Sequence, residues 1–215
     1  MKKLFLFSIL FLLLGSGLSF AQQDTKAKNI LEAVSKKING LKSLKANFAL
    51  HLVSANGKTS QTKKGSFFMK GPKYKLTLGD QEIICDSKNV WTYIKAANEV
   101  QISTYSPDEQ TISPDKLFTN FYDKEYRYKY AGSRKLNGKE VDLIELTPLN
   151  NSKQFSKVEL AVDKSNTIVG GNVYEKNGNH YRYEISGFTP NAAIADALFT
   201  FDAKKYPGVE VVDLR

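Results

Sequence analysis

The 215-residue chain is 41% hydrophobic and 25% charged, and its 31 basic and 22 acidic side chains give a formal net charge of +9. Its length suits a single domain with a sizeable core, and its only cysteine, Cys85, excludes an internal disulfide framework. The positive charge predicts mostly a solvated face, with an anionic membrane surface or an acidic partner as alternatives.

The N-terminal 21 residues have the pattern of a secretory signal peptide. Two lysines precede an apolar run over residues 4–14, and residues 19–21 form a small-x-small cleavage motif. The run is shorter than the roughly 20 residues that a membrane-spanning helix needs, although a retained anchor is the alternative. We expect cleavage after Ala21, which leaves residues 22–215 with a charge of +7 because two lysines are lost. Because we expect the chain to be exported, we do not expect nucleic acid as a partner.

The first element of the mature chain is predicted to be a helix over residues 24–39. Asp24 can cap it, Gly40 can end it, and apolar residues follow the helical spacing between them. After the helix the apolar period changes to two, which predicts a strand over residues 44–52 and a hairpin turn at Asn56-Gly57. Further strands are predicted over residues 59–70, 73–78, 81–86, 90–95 and 99–105.

A second helix is predicted to begin at Ser113-Pro114, with serine as the cap and proline in the first turn. Strands then resume over residues 126–135, 140–147, 155–163, 167–175 and 180–188. A short helical piece near residues 194–198 and an extended tail over residues 199–212 end the chain. The pattern predicts one antiparallel domain of about eleven strands, which must curl or close, with short helices over its hollow.

Residues 65–78 place bulky apolar groups on both faces of the predicted sheet. Phe67, Phe68 and Met69 are adjacent, whereas Leu76 and Leu78 alternate with polar residues. One interpretation is ordinary core packing. The other is a pocket between sheet and helices for an acyl chain, since apolar burial contributes about 25 cal/mol per Å². The residues alone leave both interpretations open.

We recognise no constellation of catalytic residues. The two histidines, His51 and His180, are not paired at a metal-ligand spacing, and neither a phosphate loop nor a nucleophile elbow is present. Asp86 and Asp163 fall at predicted turns, where aspartate usually caps the backbone. The sequence therefore predicts a binding protein that is not an enzyme and has no metal and no cofactor.

Seven short motifs give a more specific indication. They are GSF at 65–67, KGPKY at 70–74, DSKNVWTY at 86–93, SPDKL at 113–117, LAVD at 160–163, FTF at 199–201 and PGVEVVD at 207–213. Together they resemble motifs of the LolA family, the periplasmic carriers that take lipoproteins from the inner to the outer membrane of Gram-negative bacteria. The resemblance extends over almost the whole mature chain.

The resemblance implies a mainly β fold, an incomplete antiparallel β-barrel with a lid of short α-helices that encloses a hydrophobic cavity for acyl chains. It implies lipoproteins as cargo, an inner-membrane lipoprotein-releasing ABC transporter complex and an outer-membrane acceptor as partners, and a monomer in the periplasm. We expect the cavity to be lined by Leu31, Leu50, Phe67, Met69, Leu76, Leu78, Leu117, Phe118 and Phe121.

The family also implies a latch between lid and barrel, formed by an arginine just before the proline of its basic-Pro motif. In this chain Lys70 or Gly71 takes that position, so Lys70 is a weakened latch or the latch lies elsewhere on the rim. There are three alternatives: a periplasmic sensor or interaction protein of LolB-like or of RseB-like fold, which binds lipids or lipoproteins without a carrier role, and an enzyme. LolB is itself a lipoprotein, whereas no cysteine is found near the cleavage site, and the lipid-binding sensor RseB needs a second domain. A secreted lipid-modifying enzyme is the third alternative.

Overall fold

The computed structural model describes residues 24–106 and 125–215, which contain one α-helix, twelve strands and two short 3-10 helices. The helix α1 is Thr25–Asn39. The strands are β1 Leu44–Val53, β2 Thr59–Lys70, β3 Lys73–Leu78, β4 Gln81–Cys85, β5 Asn89–Ile94, β6 Glu99–Thr104, β7 Tyr126–Leu136, β8 Lys139–Pro148, β9 Phe155–Asp163, β10 Ile168–Glu175, β11 His180–Pro190 and β12 Glu210–Asp213. The 3-10 helices are Asp196–Phe199 and Ala203–Lys205.

The twelve strands form one sheet in the order β12-β6-β5-β4-β3-β2-β1-β11-β10-β9-β8-β7. Strands β7 and β12 are its two edges and do not pair with each other within the described ranges, so the barrel is incomplete. The predicted fold class is thereby confirmed. The sheet has one strand more than the eleven predicted, because part of the extended tail forms β12, which pairs in parallel with β6.

Helix α1 begins and ends where the sequence predicts. The Asp24 carboxylate accepts hydrogen bonds from the backbone N–H groups of Lys26 (2.9 Å) and Ala27 (3.1 Å), which have no partner inside the helix. Lys36 and Lys37 lie in the last turn, where positive charge is favourable at the carbonyl end of the helix. The buried stripe of the helix consists of Ala27, Leu31, Val34, Ser35 and Ile38.

The main core lies between α1 and the concave face of the sheet. Cys85, whose exposure is 0%, belongs to this core, in agreement with its apolar neighbours in the sequence. The sheet contributes Leu44, Phe67, Met69, Tyr74, Cys85, Tyr126, Tyr128, Ile144, Leu146, Val158, Leu160, Val162 and Ile168. These residues come from eight strands, so the core extends across most of the sheet.

A second apolar cluster covers the convex face. Ile84 is buried and, by strand alternation, lies opposite to its neighbour Cys85. On the same side, the ring of Tyr93 lies 6.2 Å from that of Phe201 and 4.5 Å from that of Tyr206. Both belong to the segment between β11 and β12, residues 191–209, which we call the C-terminal segment. The C-terminal segment therefore packs across the convex face before β12 joins β6. This explains why the sheet carries apolar residues on both of its faces.

Candidate lipid-binding face

The concave face of β1 to β4 brings the predicted cavity residues into register. Phe67 on β2 lies opposite Leu76 on β3, and Met69 lies opposite Tyr74. Phe67 and Tyr74 are also ring neighbours, with centroids 6.5 Å apart. Since facing residues of antiparallel strands project to the same side, these side chains share one surface.

The predicted residues fall into two groups by burial. Leu31, Phe67 and Met69 are 1%, 3% and 6% exposed, respectively, and belong to the main core. Leu76 is half-buried and packs against that core. Leu50 and Leu78 are half-buried on their strands, Leu50 opposite Tyr183 of β11. The last three predicted residues, Leu117, Phe118 and Phe121, lie outside the described ranges.

Several half-buried residues of this face were missed by sequence reasoning. Phe48 and Ile83 follow the same alternation as the predicted ones, so the period-two pattern could have identified them. Tyr183 and Ile185 became neighbours of β1 only through the pairing of β1 with β11, which joins segments more than 130 residues apart. We call the following residues the concave apolar face: Phe48, Leu50, Leu76, Leu78, Ile83, Tyr183 and Ile185.

Two aromatic rings of the concave apolar face lie across glycines of the neighbouring strand. A Cβ atom at Gly65 would be 2.4 Å from the Phe48 ring, and one at Gly171 would be 2.5 Å from the Tyr183 hydroxyl oxygen. Burial raises the pKa of the Tyr183 hydroxyl, so the phenol is neutral. The two glycines thus allow both rings to lie against the sheet as part of its apolar surface.

Helix α1 is attached to the sheet at both ends. The Tyr130 N–H on edge strand β7 donates to the second carboxylate oxygen of Asp24 at 2.8 Å. At the other end, Lys37 Nζ donates to the Ser165 carbonyl at 2.7 Å and to Thr167 Oγ1 at 2.5 Å. These contacts fix α1 over β7 and the turn between β9 and β10.

The described contacts of Lys70 lie on the convex side. Its Nζ is 3.1 Å from the Asp196 carboxylate and 3.5 Å from the Ile194 carbonyl, and Lys73 Nζ is 3.8 Å from the same carboxylate. The hydrogen bond from Lys70 holds the pKa of Asp196 below its ordinary value. Lys70 therefore contacts the C-terminal segment, while its role as a latch for the lid stays a prediction.

Within residues 24–106 and 125–215, no cluster of three or more histidine, cysteine or acidic side chains could hold a metal ion. None of the helices described there is long and apolar enough to cross a membrane.

The family model described as outer membrane lipoprotein carrier protein LolA matches residues 39–202. The chain belongs to the LolA family. An outer-membrane lipoprotein carrier protein of Shewanella sp. (strain ANA-3) is 30% identical over 169 residues, which are 76% of this chain and 78% of that relative. The carrier of Actinobacillus pleuropneumoniae serotype 3 (strain JL03) is 27% identical over 221 residues, covering 100% and 97% of the two chains. The resemblance found in the motifs is confirmed.

A solved structure supports the fold of this LolA-family chain. An uncharacterized conserved protein from Thermus thermophilus superposes with a TM-score of 0.59 and 13% identity, covering 87% of this chain and 99% of the other. At that identity the similarity establishes the architecture of the sheet and not a function.

Proposed function

We propose that this protein is a periplasmic carrier that binds the acyl chains of lipoproteins and takes them from the inner to the outer membrane. The observation that carries the proposal is the concave apolar face, a row of half-buried side chains beside α1 in a chain of the LolA family. The similar outer-membrane lipoprotein carrier proteins of Shewanella and Actinobacillus support the same role.

The chemistry of the face suits acyl chains. Each Å² of apolar surface removed from water contributes about 25 cal/mol, so saturated chains gain affinity without any specific polar contact. A face built from leucine, isoleucine and aromatic rings discriminates little between cargo proteins, because it recognises only the lipid that they share. Such a carrier needs no metal, cofactor or catalytic group.

The proposed partners follow from the transfer of lipoproteins between the two membranes. Loading requires an inner-membrane lipoprotein-releasing ABC transporter complex, and delivery requires an outer-membrane acceptor. The protein itself acts as a monomer, exported by the signal peptide over residues 1–21. Energy for loading would come from the membrane partner, since the chain has no phosphate-binding loop.

The proposal is tested with the purified mature chain and an apolar fluorescent probe. The probe should bind and be displaced by a lipopeptide, and a loaded protein should pass the lipopeptide to acceptor membranes. Leu76→Asn should weaken binding about tenfold or more, because a polar side chain replaces apolar contact area. Thr77→Asn is the matched control on the other side of the same strand.

Each outcome of this experiment decides between the functions. A folded protein that does not bind the probe has no acyl-binding face, and the proposal fails. Binding without transfer to acceptor membranes would instead support a lipid-binding sensor. Equal loss in both variants would show that the effect comes from strand β3 as a whole.

We further propose that Lys70 controls the release of the bound lipoprotein. The resemblance to the LolA family implies this role for an arginine at the corresponding position. Release from Lys70→Ala should be faster than from the wild type, and release from Lys70→Arg slower, because a guanidinium holds a carboxylate with more donors. Lys73→Ala is the control, since Lys73 contacts the same Asp196 carboxylate from farther away. If Lys70→Ala and Lys70→Arg both release at the wild-type rate, Lys70 is not a latch.

A further inference from the structure

One end of the sheet carries a row of lysines. The antiparallel registers place the β2–β3, β7–β8 and β9–β10 turns at this end, together with the last turn of α1 and its link to β1. We call these side chains the basic rim: Lys36, Lys37, Lys42, Lys70, Lys73, Lys135, Lys139 and Lys164.

Side-chain contacts join one half of the basic rim. Lys164 Nζ lies 3.3 Å from the Glu140 carboxylate, which connects the β9–β10 turn with the β7–β8 turn. Lys37 donates to the carbonyl of Ser165, the residue after Lys164. The end of α1 and both turns are therefore adjacent on one surface.

The other half is joined through the segment that follows β11. The Lys42 N–H donates to the Asn191 side chain at 2.9 Å. Three residues farther along, the carbonyl of Ile194 lies 3.5 Å from Lys70 Nζ, and Lys73 pairs with Lys70 across β2 and β3. The eight lysines thus lie at one end of the sheet, along the part formed by β7 to β10, α1, β1, β2 and β3.

Positive charge on the basic rim exceeds the negative charge beside it. The rim lysines contact or neighbour four carboxylates, Glu140, Asp142, Asp163 and Asp196. Asp196 is shared by two lysines. Four exposed rim lysines have no carboxylate within 4.0 Å among the described residues: Lys36, Lys42, Lys135 and Lys139.

We propose that the basic rim docks this protein on an anionic phospholipid surface. Protein interfaces are depleted in lysine and enriched in arginine and aromatic residues, so a row of lysines, five of them exposed and three half-buried, suits lipid phosphates better than a protein partner. Lysine is a flexible point charge that can follow laterally mobile headgroups, and each one near an anionic surface strengthens binding about fivefold. The contact is electrostatic and does not use the concave apolar face, so it goes beyond the proposed carrier function.

The test is co-sedimentation of the mature chain with two kinds of vesicle, one containing phosphatidylglycerol and one of phosphatidylcholine only. The wild type should bind only the first kind and be released as salt shortens the screening length from about 10 Å at 0.1 M to about 3 Å at 1 M. The rim variant Lys36→Gln/Lys42→Gln/Lys135→Gln/Lys139→Gln should bind more than about 100-fold more weakly. The control Lys58→Gln/Lys63→Gln/Lys64→Gln/Lys95→Gln removes equal charge from exposed positions at the opposite end.

The control separates position from net charge. If both variants lose binding equally, overall charge and not the rim attracts the protein, and the proposal is overturned. It is also overturned if the wild type ignores phosphatidylglycerol vesicles, and rim-dependent retention on immobilised polyglutamate would then indicate an acidic protein partner. Salt-resistant binding to phosphatidylcholine would report acyl-chain contact instead, which leaves the rim without a role.

Discussion

The backbone N–H of Tyr130 donates to the Asp24 carboxylate at 2.8 Å, so one side chain both caps α1 and satisfies a donor on edge strand β7. One oxygen serves the helix and the other serves the strand. Lys26 Nζ adds a contact 3.5 Å above the Tyr130 ring. The start of the helix and the edge of the sheet are therefore a single unit.

Asp24→Ala should destabilise the protein more than Asp24→Asn. Asparagine keeps an oxygen for the helix cap but presents an amide N–H₂ to Tyr130, whereas alanine loses both contacts. The hydrogen bond from Tyr130 holds the pKa of Asp24 below its ordinary value of 3.8. The contribution of Asp24 is thus present above pH 3.8 and lost as the pH falls through the lowered pKa. Urea unfolding at neutral and acid pH measures both effects, and equal midpoints for the two variants would contradict the double role.

Gly65→Ala should lower the free energy of unfolding by about 1–3 kcal/mol. A Cβ atom there would be 2.4 Å from both the Phe48 ring and the Thr77 carbonyl oxygen, so the strands must separate or the ring must move. Ser66→Ala, at the next position on the opposite face, should change stability by less than about 0.5 kcal/mol. Urea unfolding of the two variants checks the difference, and similar values would mean that the Phe48 ring does not need the glycine.

Tyr206 should titrate separately from the ordinary tyrosines. Burial and its 3.0 Å hydrogen bond to Glu82 raise the pKa of its hydroxyl from 10.0 to about 12. Folding favours the neutral phenol. Its contribution to the free energy of unfolding is therefore present below pH 10.0 and lost as the pH rises toward about 12. Ultraviolet absorbance should show a phase near pH 12 in the wild type, at lower pH in Glu82→Gln, and smaller by one tyrosine in Tyr206→Phe, where the buried Tyr183 still titrates late. An unchanged amplitude in Tyr206→Phe would contradict the assignment to Tyr206.

The Cys85 thiol should react slowly with a thiol reagent in the native protein. Its exposure is 0% in the core beneath α1, so reaction requires opening of the sheet. The rate should rise about 10³-fold or more in denaturant, because opening costs several kcal/mol. The rate measured in urea serves as the internal control. Rapid labelling without denaturant would mean that β4 opens easily.

The bounds of most elements were determined by the sequence itself. Local signals sufficed: Asp24 and Gly40 delimit α1, the period-two alternation defines the strands, and Gly71-Pro72 marks the turn between β2 and β3. These signals act between residues close in the chain, so they are visible without any knowledge of the tertiary fold. The same alternation groups Phe67 with Met69 on one face of β2 and Leu76 with Leu78 on one face of β3.

Only the tertiary structure decided what lies on each face of the sheet. The period-two alternation places the side chains of Met69 and Lys70 on opposite faces of the sheet, but it does not indicate which of them faces α1. The second cluster around Tyr93 exists because the C-terminal segment returns across the convex face, and β12 pairs with β6 more than 100 residues away. Likewise the partners of Lys70 are 124 or more residues distant. Such contacts depend on the path of the whole chain, which no local pattern encodes.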